Sequence, residues 1–358
     1  VKILVRGTNW IGDAVMSVPA LKDLRRIFPD AEITLHTRTW AEGIFADAPF
    51  IDELVTFDKG KWAAKDVYSN SQFLKGDGYD LAVVLPNSFE SALTSFLSSI
   101  PRRFGYNKDL RGLLLTDPIA VPEWKNRRHE VFYYLNLVSE VEKQVLGRDA
   151  VSSTVPDTSL SIPDHQKAEA REFLRSSGVD PDLPIVAMGV GSTNSLAKRW
   201  PVDRFINLIS TIVSDHNAQV VLLGGSGDAK VAHEVTQVTQ GIGSGIVDLT
   251  GKTTLSEAMA ILSVADVMVS NDMGLAHIAP AVGTSTIVLF GPTNPTTTRP
   301  CGDKVTVLQR DVKCEYCDRR DDSDRHRCVK WPSVEEVLAS VNVELNNLIV
   351  ISDLAAIG

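Results

Sequence analysis

The sequence predicts an α/β protein built from two doubly wound domains in tandem. Three observations carry this prediction. Short apolar runs that read as strands alternate with apolar-periodic stretches that read as helices, the pattern of parallel sheets covered on both faces. The alternation stops and restarts near residue 185. The length, 358 residues, favours two domains over one.

In the first half, KILVR (2–6) is the opening strand and the apolar-periodic DAVMSVPALKDLRRIF follows as a helix. Pro19 lies about two turns inside that helix, where a missing N–H and a ring clash should kink or break it. EITLHT (32–37), a short helix near 40–47 and ELVTFD (53–58) come next. DLAVVLPNS (80–88), SALTSFLSSI (91–100) and RRFGYN (102–107) continue the alternation, and a helix rich in Tyr, Leu and Val covers roughly 129–145. In the second half, IVAMGVG (185–191) is a new first strand. A helix from Pro201, QVVLLGG (219–225), a helix near 228–240 and IVDLTG (246–251) follow. LSEAMAILSVA (255–265) reads as a helix, and DVMVSND (266–272) and TSTIVLFG (284–291) as strands with a helix between them. SVEEVLASVNVELNNLI (333–349) is the last helix, and Gly178, Pro181 and Pro184 mark the linker. The expected domains are therefore 1–178 and 179–335, with 336–358 a terminal helix expected to pack back on the first domain. Doubly wound sheets bind ligands outside the carboxyl ends of their strands, so a cleft lined by those ends is the expected site.

Composition removes several function classes. Hydrophobic residues make up 44%, enough for substantial cores, and the net charge of −9 argues against a general nucleic-acid binder. No run of about 18 apolar residues is present, as a spanning helix needs. The N-terminus lacks the apolar core and cleavage site of a signal peptide, and four cysteines do not make a secreted disulfide scaffold at this length. The expected location is the cytoplasm.

Candidate ligand residues cluster at strand-to-helix junctions of the second half. In GVGSTNSLAKRWP (189–201), Gly191, Ser192 and Thr193 offer N–H groups and hydroxyls to phosphate oxygens, and Lys198 offers a neutralising charge; a plain loop with a solvated lysine is the alternative. In LLGGSGDAK (222–230), the glycines allow close backbone approach, and Asp228 reads as an N-cap or as a contact to ribose hydroxyls or a base amine. In SNDMGLAHIAPAVGTSTIVLFGPTNP (270–295), Asp272 ends a strand, Met273 and Gly274 turn the chain, and His277 lies in the first turns of a helix whose N-terminus favours anions. His277 with Lys198 could hold a diphosphate; the alternatives are a packing histidine and an N-cap Asp272. No G-x-x-x-x-G-K-[ST] loop is present, and RGTNWIG after the first strand is not G-x-G-x-x-G, which counts against P-loop NTPases and dinucleotide dehydrogenases.

Four blocks carry a resemblance. WIGDAVMSVPAL, LPNSFESAL with IPRRFGY, the AKRWP block and SNDMGLAHIAPAVGTSTIVLFGPTNP resemble the ADP-heptose–lipopolysaccharide heptosyltransferases of glycosyltransferase family 9. The LPNS…SAL and PRR-GY pair points to the heptosyltransferase II branch. The resemblance implies a GT-B fold of two Rossmann-like domains and an inverting, metal-independent transfer of heptose from ADP-heptose to the first heptose of the lipopolysaccharide inner core. It implies no cofactor, no nucleic-acid partner, a monomer, and peripheral contact with the inner membrane. Carried onto this chain, Ser192, Thr193 and Lys198 would bind phosphate, Asp228 would lie near the adenosine and Thr253 would flank the base. Asp272, Met273, Gly274, Leu275 and His277 would contact the donor's sugar and diphosphate, with Asp272 facing sugar hydroxyls and Met273 acting through its backbone. Asp13 would be the base for the acceptor hydroxyl and Lys198 would assist departure of ADP.

On the acceptor side, Trp10 and Gly12 would shape the site. The basic stretch RRFGYNKDLR, with Arg102 and Arg103, and the loose group containing Lys61 would steer an anionic acceptor; a solvated surface is the alternative. Asp13 has an alternative of its own, since an acid in a helix's first turn is favoured by the dipole. Cys314, Cys317, Cys328 and His326 have zinc-site spacing, but a disulfide or free thiols fit better, and no metal is expected. The other functional readings are heptosyltransferase I, another GT-B enzyme with a different donor or acceptor, and a non-catalytic sugar-binding protein.

Overall fold

The computed structural model describes residues 1–192, 195–239, 241, 245–310 and 331–357, with side chains described through Asn347. The chain divides into two compact units, Val1–Thr158 and Ser159–Gly358. In the first, six strands form one parallel sheet in the order β3-β2-β1-β4-β5-β6. They are β1 (Lys2–Arg6), β2 (Glu32–Arg38), β3 (Glu53–Phe57), β4 (Leu81–Val84), β5 (Arg102–Tyr106) and β6 (Asp117–Ile119). The helices are α1 (Ile11–Ile27), α2 (Glu42–Phe45), α3 (Ala63–Lys75), α4 (Phe89–Leu97) and α5 (Val131–Leu146). The central strands are apolar throughout because both faces are covered: Ile3, Leu4 and Val5 of β1 and Ala82, Val83 and Val84 of β4 are buried.

Helix α1 continues through Pro19, where the sequence predicts a kink or break; the helix does not end there. Every residue from Ala14 to Leu21 is buried, and α1 packs along α5, so tertiary packing offsets the hydrogen bond that proline cannot make. Helix α3 was not legible as such, because only Val67, Ser71 and Leu74 of its 13 residues are buried.

The second unit repeats the arrangement. Its strands are β7 (Ile185–Gly189), β8 (Gln219–Leu222), β9 (Ile246–Asp248), β10 (Val267–Asn271), β11 (Ser285–Leu289) and β12 (Val305–Leu308). They form a parallel sheet in the order β12-β11-β10-β7-β8-β9, the order of the first sheet read from the other edge. The helices are α6 (Asp164–Ser176), α7 (Val202–His216), α8 (Ala229–Thr239), α9 (Leu255–Val264), α10 (Gly274–Ala281), α11 (Pro295–Thr298) and α12 (Val334–Ile357). The division falls after Thr158 rather than at 178, because α6 packs on α9: Ala170 and Phe173 share one surface pocket with Ala260 and Ile261. The terminal helix also belongs here. Val337, Val341 and Leu345, one stripe of α12, are buried in a core with Phe205 and Leu208 of α7 and with Val269 and Leu289 of the sheet. Its expected partner was the first domain.

One buried charge pattern in the first unit has a measurable consequence. Arg6 ends β1 in the interior, where Nη1 donates to the carbonyls of Gly7 at 3.0 Å and His36 at 3.2 Å. Its guanidinium lies 4.3 Å from the Phe57 ring centroid. His36, 1% exposed on β2, is pushed down to a pKa of about 3, first by burial and then by the Arg6 charge. Below its ordinary value of 6.5 the unfolded chain takes up a proton that the folded chain refuses until about pH 3, so stability falls as pH drops through that window. Urea unfolding should show the wild type losing about 2 kcal/mol more than the His36→Gln variant between pH 6.5 and pH 5. Parallel losses in the two proteins would show that His36 is not held neutral.

Candidate functional site

In each sheet the strand order reverses between two central strands, β1 and β4 in the first and β7 and β10 in the second. Loops leave such a pair in opposite directions and open a crevice at its carboxyl edge. The expected donor residues lie on the loops that follow β7, β8, β9 and β10, all at that edge of the second unit.

Asn271, the last residue of β10, organises this edge. It is fully buried, and its amide Nδ2 donates to the carbonyls of Val190 at 2.9 Å and Gly191 at 3.0 Å. Its Oδ1 accepts from the Trp200 N–H at 2.9 Å. One side chain therefore grips both ends of the loop that carries Ser192 and Lys198. Trp200 anchors the far end: it is buried edge-on against Phe205, and its Nε1 donates to the Pro332 carbonyl at 3.0 Å.

The next residue, Asp272, is 6% exposed, and its Oδ2 accepts from Lys198 Nζ at 2.6 Å and from Thr293 Oγ1 at 2.8 Å. A carboxylate, an ammonium and a hydroxyl from three loops thus meet at one oxygen. Asp272 is not an N-cap, because Met273 holds that position at the start of α10 and makes no side-chain cap bond. Lys198 is not a plain solvated lysine; it ends a short 3₁₀ turn, and its side chain is only partly exposed. The ammonium has three donors and gives one to Asp272, so the pair fixes the charge while leaving donors to turn outward.

Several other expected contacts lie deeper than the sequence suggests. Asp228 is 2% exposed and packs under Gly191, where a Cβ would lie 2.0 Å from the Asp228 Cγ. Its Oδ1 is 3.8 Å from Arg199 Nη2. It stands between the loops after β7 and β8, against Gly191 and within reach of Arg199. Leu275 and His277 are also buried in α10, at 6% and 5% exposure, while Met273 and Gly274, at the helix start where the first N–H groups have no partner within the helix, are partly exposed. Ser192 is buried, and Thr193 lies outside the described residues. Thr253 is half-buried beside the capping box of α9, in which Thr254 N donates to Glu257 Oε2 at 2.7 Å and Glu257 N donates to Thr254 Oγ1 at 3.2 Å.

In the first unit, Asp13 stands in the first turn of α1, beyond the carboxyl end of β1. Its Oδ1 accepts from the Tyr134 hydroxyl of α5 at 3.1 Å. Burial, and then the Asp13 charge, push the Tyr134 phenol well above its usual 10, so it stays a donor. Nearby, Tyr133 OH donates to Asn87 Oδ1 at 3.2 Å in the loop after β4. Arg111, fully buried, straps that loop to the end of β5 through the carbonyls of Pro86 and Tyr106. Trp10, half-exposed, and Gly12 flank Asp13 at the helix start, and Lys61 is exposed on the loop after β3, also at the carboxyl edge.

Arg102 and Arg103 do not join them. They open β5 in register with Leu81 and Ala82, the first residues of β4, and so lie at the amino edge of the sheet. Arg102 pairs with Asp117 at 2.6 Å, and Arg103 donates to the carbonyls of Leu114, at 2.8 Å, and Ile100. They are structural ties and leave the acceptor set. Cys314, Cys317, His326 and Cys328 lie outside the described residues.

Sequence reasoning missed Asn271, Thr293, Arg199 and Tyr134. A signal existed for Asn271, since an amide ending the buried strand VMVSN must find buried partners. None marked Tyr134, whose meeting with Asp13 spans 121 residues.

Replacing Asn271 with Ala strands one backbone N–H and two carbonyls in the interior. Denaturant unfolding should report a loss of about 3 kcal/mol. A change below about 1 kcal/mol would mean that the loop holds itself.

Comparison with known proteins agrees with this architecture. The profile of glycosyltransferase family 9 (heptosyltransferase) matches residues 67–327. The chain is 30% identical over 311 residues to lipooligosaccharide heptosyltransferase 2 of Haemophilus influenzae, covering 86% of this chain and 88% of that one. It is 28% identical to lipopolysaccharide heptosyltransferase 2 of Escherichia coli K12, with the same shares covered. The solved structure of E. coli ADP-heptose lps heptosyltransferase II superposes with a TM-score of 0.80 at 25% identity, covering 97% of this chain and 99% of that chain. A glycosyl transferase family 9 structure from Veillonella parvula shares the fold, with a TM-score of 0.80 at 21% identity and 97% of each chain covered. With two reversed parallel sheets and a profile match over most of its length, this chain belongs to glycosyltransferase family 9, the heptosyltransferases.

Proposed function

We propose that the chain is a heptosyltransferase II, which moves L-glycero-D-manno-heptose from ADP-heptose to the first heptose of the lipopolysaccharide inner core, with inversion and without a metal. Relatives of that name, matched over most of their length, support the choice of donor and acceptor. The observation that carries the chemistry is the Lys198–Asp272 pair beside the start of α10, a fixed cation next to a helix N-terminus at the reversal of the second sheet.

In this reading the Asp13 carboxylate takes the proton of the acceptor hydroxyl, and the freed oxygen attacks the anomeric carbon of the donor. The bond from that carbon to the β-phosphate oxygen breaks, and its electron pair leaves on ADP. Lys198 and the N–H groups of Met273 and Gly274 stabilise the growing diphosphate charge, and preorganised donors of this kind are the strongest single contribution to such a step. Asp272 and Thr293 hold the ammonium in place. Tyr134 orients the base. Ser192 and Thr193 contribute phosphate contacts, and Thr253 flanks the adenine. Trp10 and Gly12 shape the acceptor site, and Lys61 meets its anionic groups. The enzyme acts as a monomer at the cytoplasmic face of the inner membrane, where its acceptor is a lipid-borne saccharide; among the described residues no helix is long and apolar enough to cross a membrane.

Heptose transfer measured on core acceptors carrying no, one and two heptoses should proceed on the one-heptose acceptor alone; transfer to none of them overturns the reading. Asp13→Asn should lower turnover about 10²-fold or more while calorimetry finds ADP-heptose affinity nearly unchanged. Near-normal turnover would remove Asp13 as the base. Lys198→Ala should weaken donor binding and slow the chemical step together, by about 10²-fold in kcat/KM. If affinity and rate both stay at wild-type values, Lys198 lies outside the site.

A further inference from the structure

Helix α4 is folded inside out. Its inward side is Ser91, Ala92, Thr94 and Ser95, with Ser98 just beyond, all buried. The hydroxyls are satisfied locally: Ser91 donates to the Ser88 carbonyl at 2.8 Å, Thr94 to Glu90 at 3.0 Å, Ser95 to Ser91 at 3.2 Å and Ser98 to Thr94 at 2.8 Å. Its large apolar residues lie on the other side. Phe89, Leu93, Phe96 and Leu97 follow the spacing of one helical stripe, with Phe89 48%, Phe96 44% and Leu97 36% exposed. A surface helix normally places these two faces the other way round.

The stripe continues onto the turn after β5. Leu110 is 86% and Leu113 92% exposed. Asp109 and Leu110 are left-handed, with φ of 55° and 62°, a conformation that costs roughly 1–2 kcal/mol per non-glycine residue. The chain thus holds a leucine out in solvent against backbone preference. Arg103 joins the two parts: its guanidinium lies 5.3 Å from the Phe96 ring centroid, and its Nε donates to the Leu114 carbonyl. At the other end of α4, Lys59 lies 3.6 Å from Glu90 and brings up the loop that carries Lys61 and the 75%-exposed Trp62.

The charge around this surface runs against the rest of the molecule. Leaving out the buried Arg111, segments 57–66 and 101–113 together with α4 hold six Lys and Arg against three Asp and Glu90, in a chain of net charge −9. We propose that the outer face of α4, with the Leu110–Leu113 turn, is a docking surface for an anionic phospholipid bilayer. The leucines and phenylalanines enter the boundary between headgroups and acyl chains. Trp62 sits at headgroup level, and the basic rim meets anionic headgroups. A second copy of the chain fits less well, because a two-fold contact would set this cationic rim against itself. The proposal deepens the reading of a lipid-borne acceptor and names the surface that brings the enzyme to it.

Sedimentation with vesicles tests it without donor or glycan, so the result stands apart from the catalytic reading. Wild-type protein should bind vesicles containing about one-third phosphatidylglycerol and release with salt, and should bind neutral phosphatidylcholine vesicles weakly. The double variant Phe96→Ser/Leu113→Ser, with its Tm unchanged, should bind the anionic vesicles about tenfold more weakly. The single variant Leu113→Ser, at an exposed turn, gives the same reading in smaller measure if the double variant does not fold. Equal binding by wild type and variants, or no wild-type binding to anionic vesicles, overturns the proposal. A concentration-dependent dimer that the substitutions dissolve also overturns it, in favour of a second copy.

Discussion

The carboxyl edge of the second sheet depends on a single side-chain amide. Asn271 ends β10 in the dry interior and spends every polar group it has on the neighbouring loop. Among its described residues that loop closes short turns of its own, from Ser195 N–H to Ser192 and from Lys198 N–H to Ser195. The amide ties those turns to the end of β10, and so helps decide where Lys198 can stand. The ion pair with Asp272 is the second step of the same construction, because Asp272 follows Asn271 in the chain and inherits its fixed backbone. Buried polar groups are costly when unmatched, and here that cost becomes a positioning device.

The architecture was legible because its signal is local. Strands such as KILVR, LAVV and VMVSN announce themselves by being apolar on both faces, and the restart at residue 185 shows as a second run of them. The weak outer elements did not announce themselves. β6 has three residues with a proline in the middle, and β12 is only half-buried along its length. Helix α4 was placed in sequence, but which side faces in depends on hydroxyls bonding back to their own helix, and periodicity alone does not show that. Pro19 misled for the opposite reason, since propensity argued for a break that burial on every side overrode.

The candidate site was legible as a set of loops and less so as a set of roles. Asp13, Lys198 and Asp272 stand at reversal edges, where strand order concentrates chemistry. Arg102 and Arg103 misled because charge density in a sequence carries no direction. In a parallel sheet the two ends of a strand serve opposite edges, and these arginines open β5 rather than close it. Asp228 and His277 were ambiguous because both fall at helix starts, where acids, ligand contacts and packing residues share the same sequence position. Burial distinguishes them, and burial of a loop against a loop is a long-range fact.

The proline at the centre of β6 bears on how the protein behaves at high concentration. A parallel sheet six strands wide ends in rows of backbone groups that could recruit a strand from another molecule. Pro118 removes the N–H from the middle of a three-residue outer strand, which leaves an incoming chain almost nothing to pair with. On that side the first sheet is closed to growth, so crowding should not lead to sheet-to-sheet aggregation there.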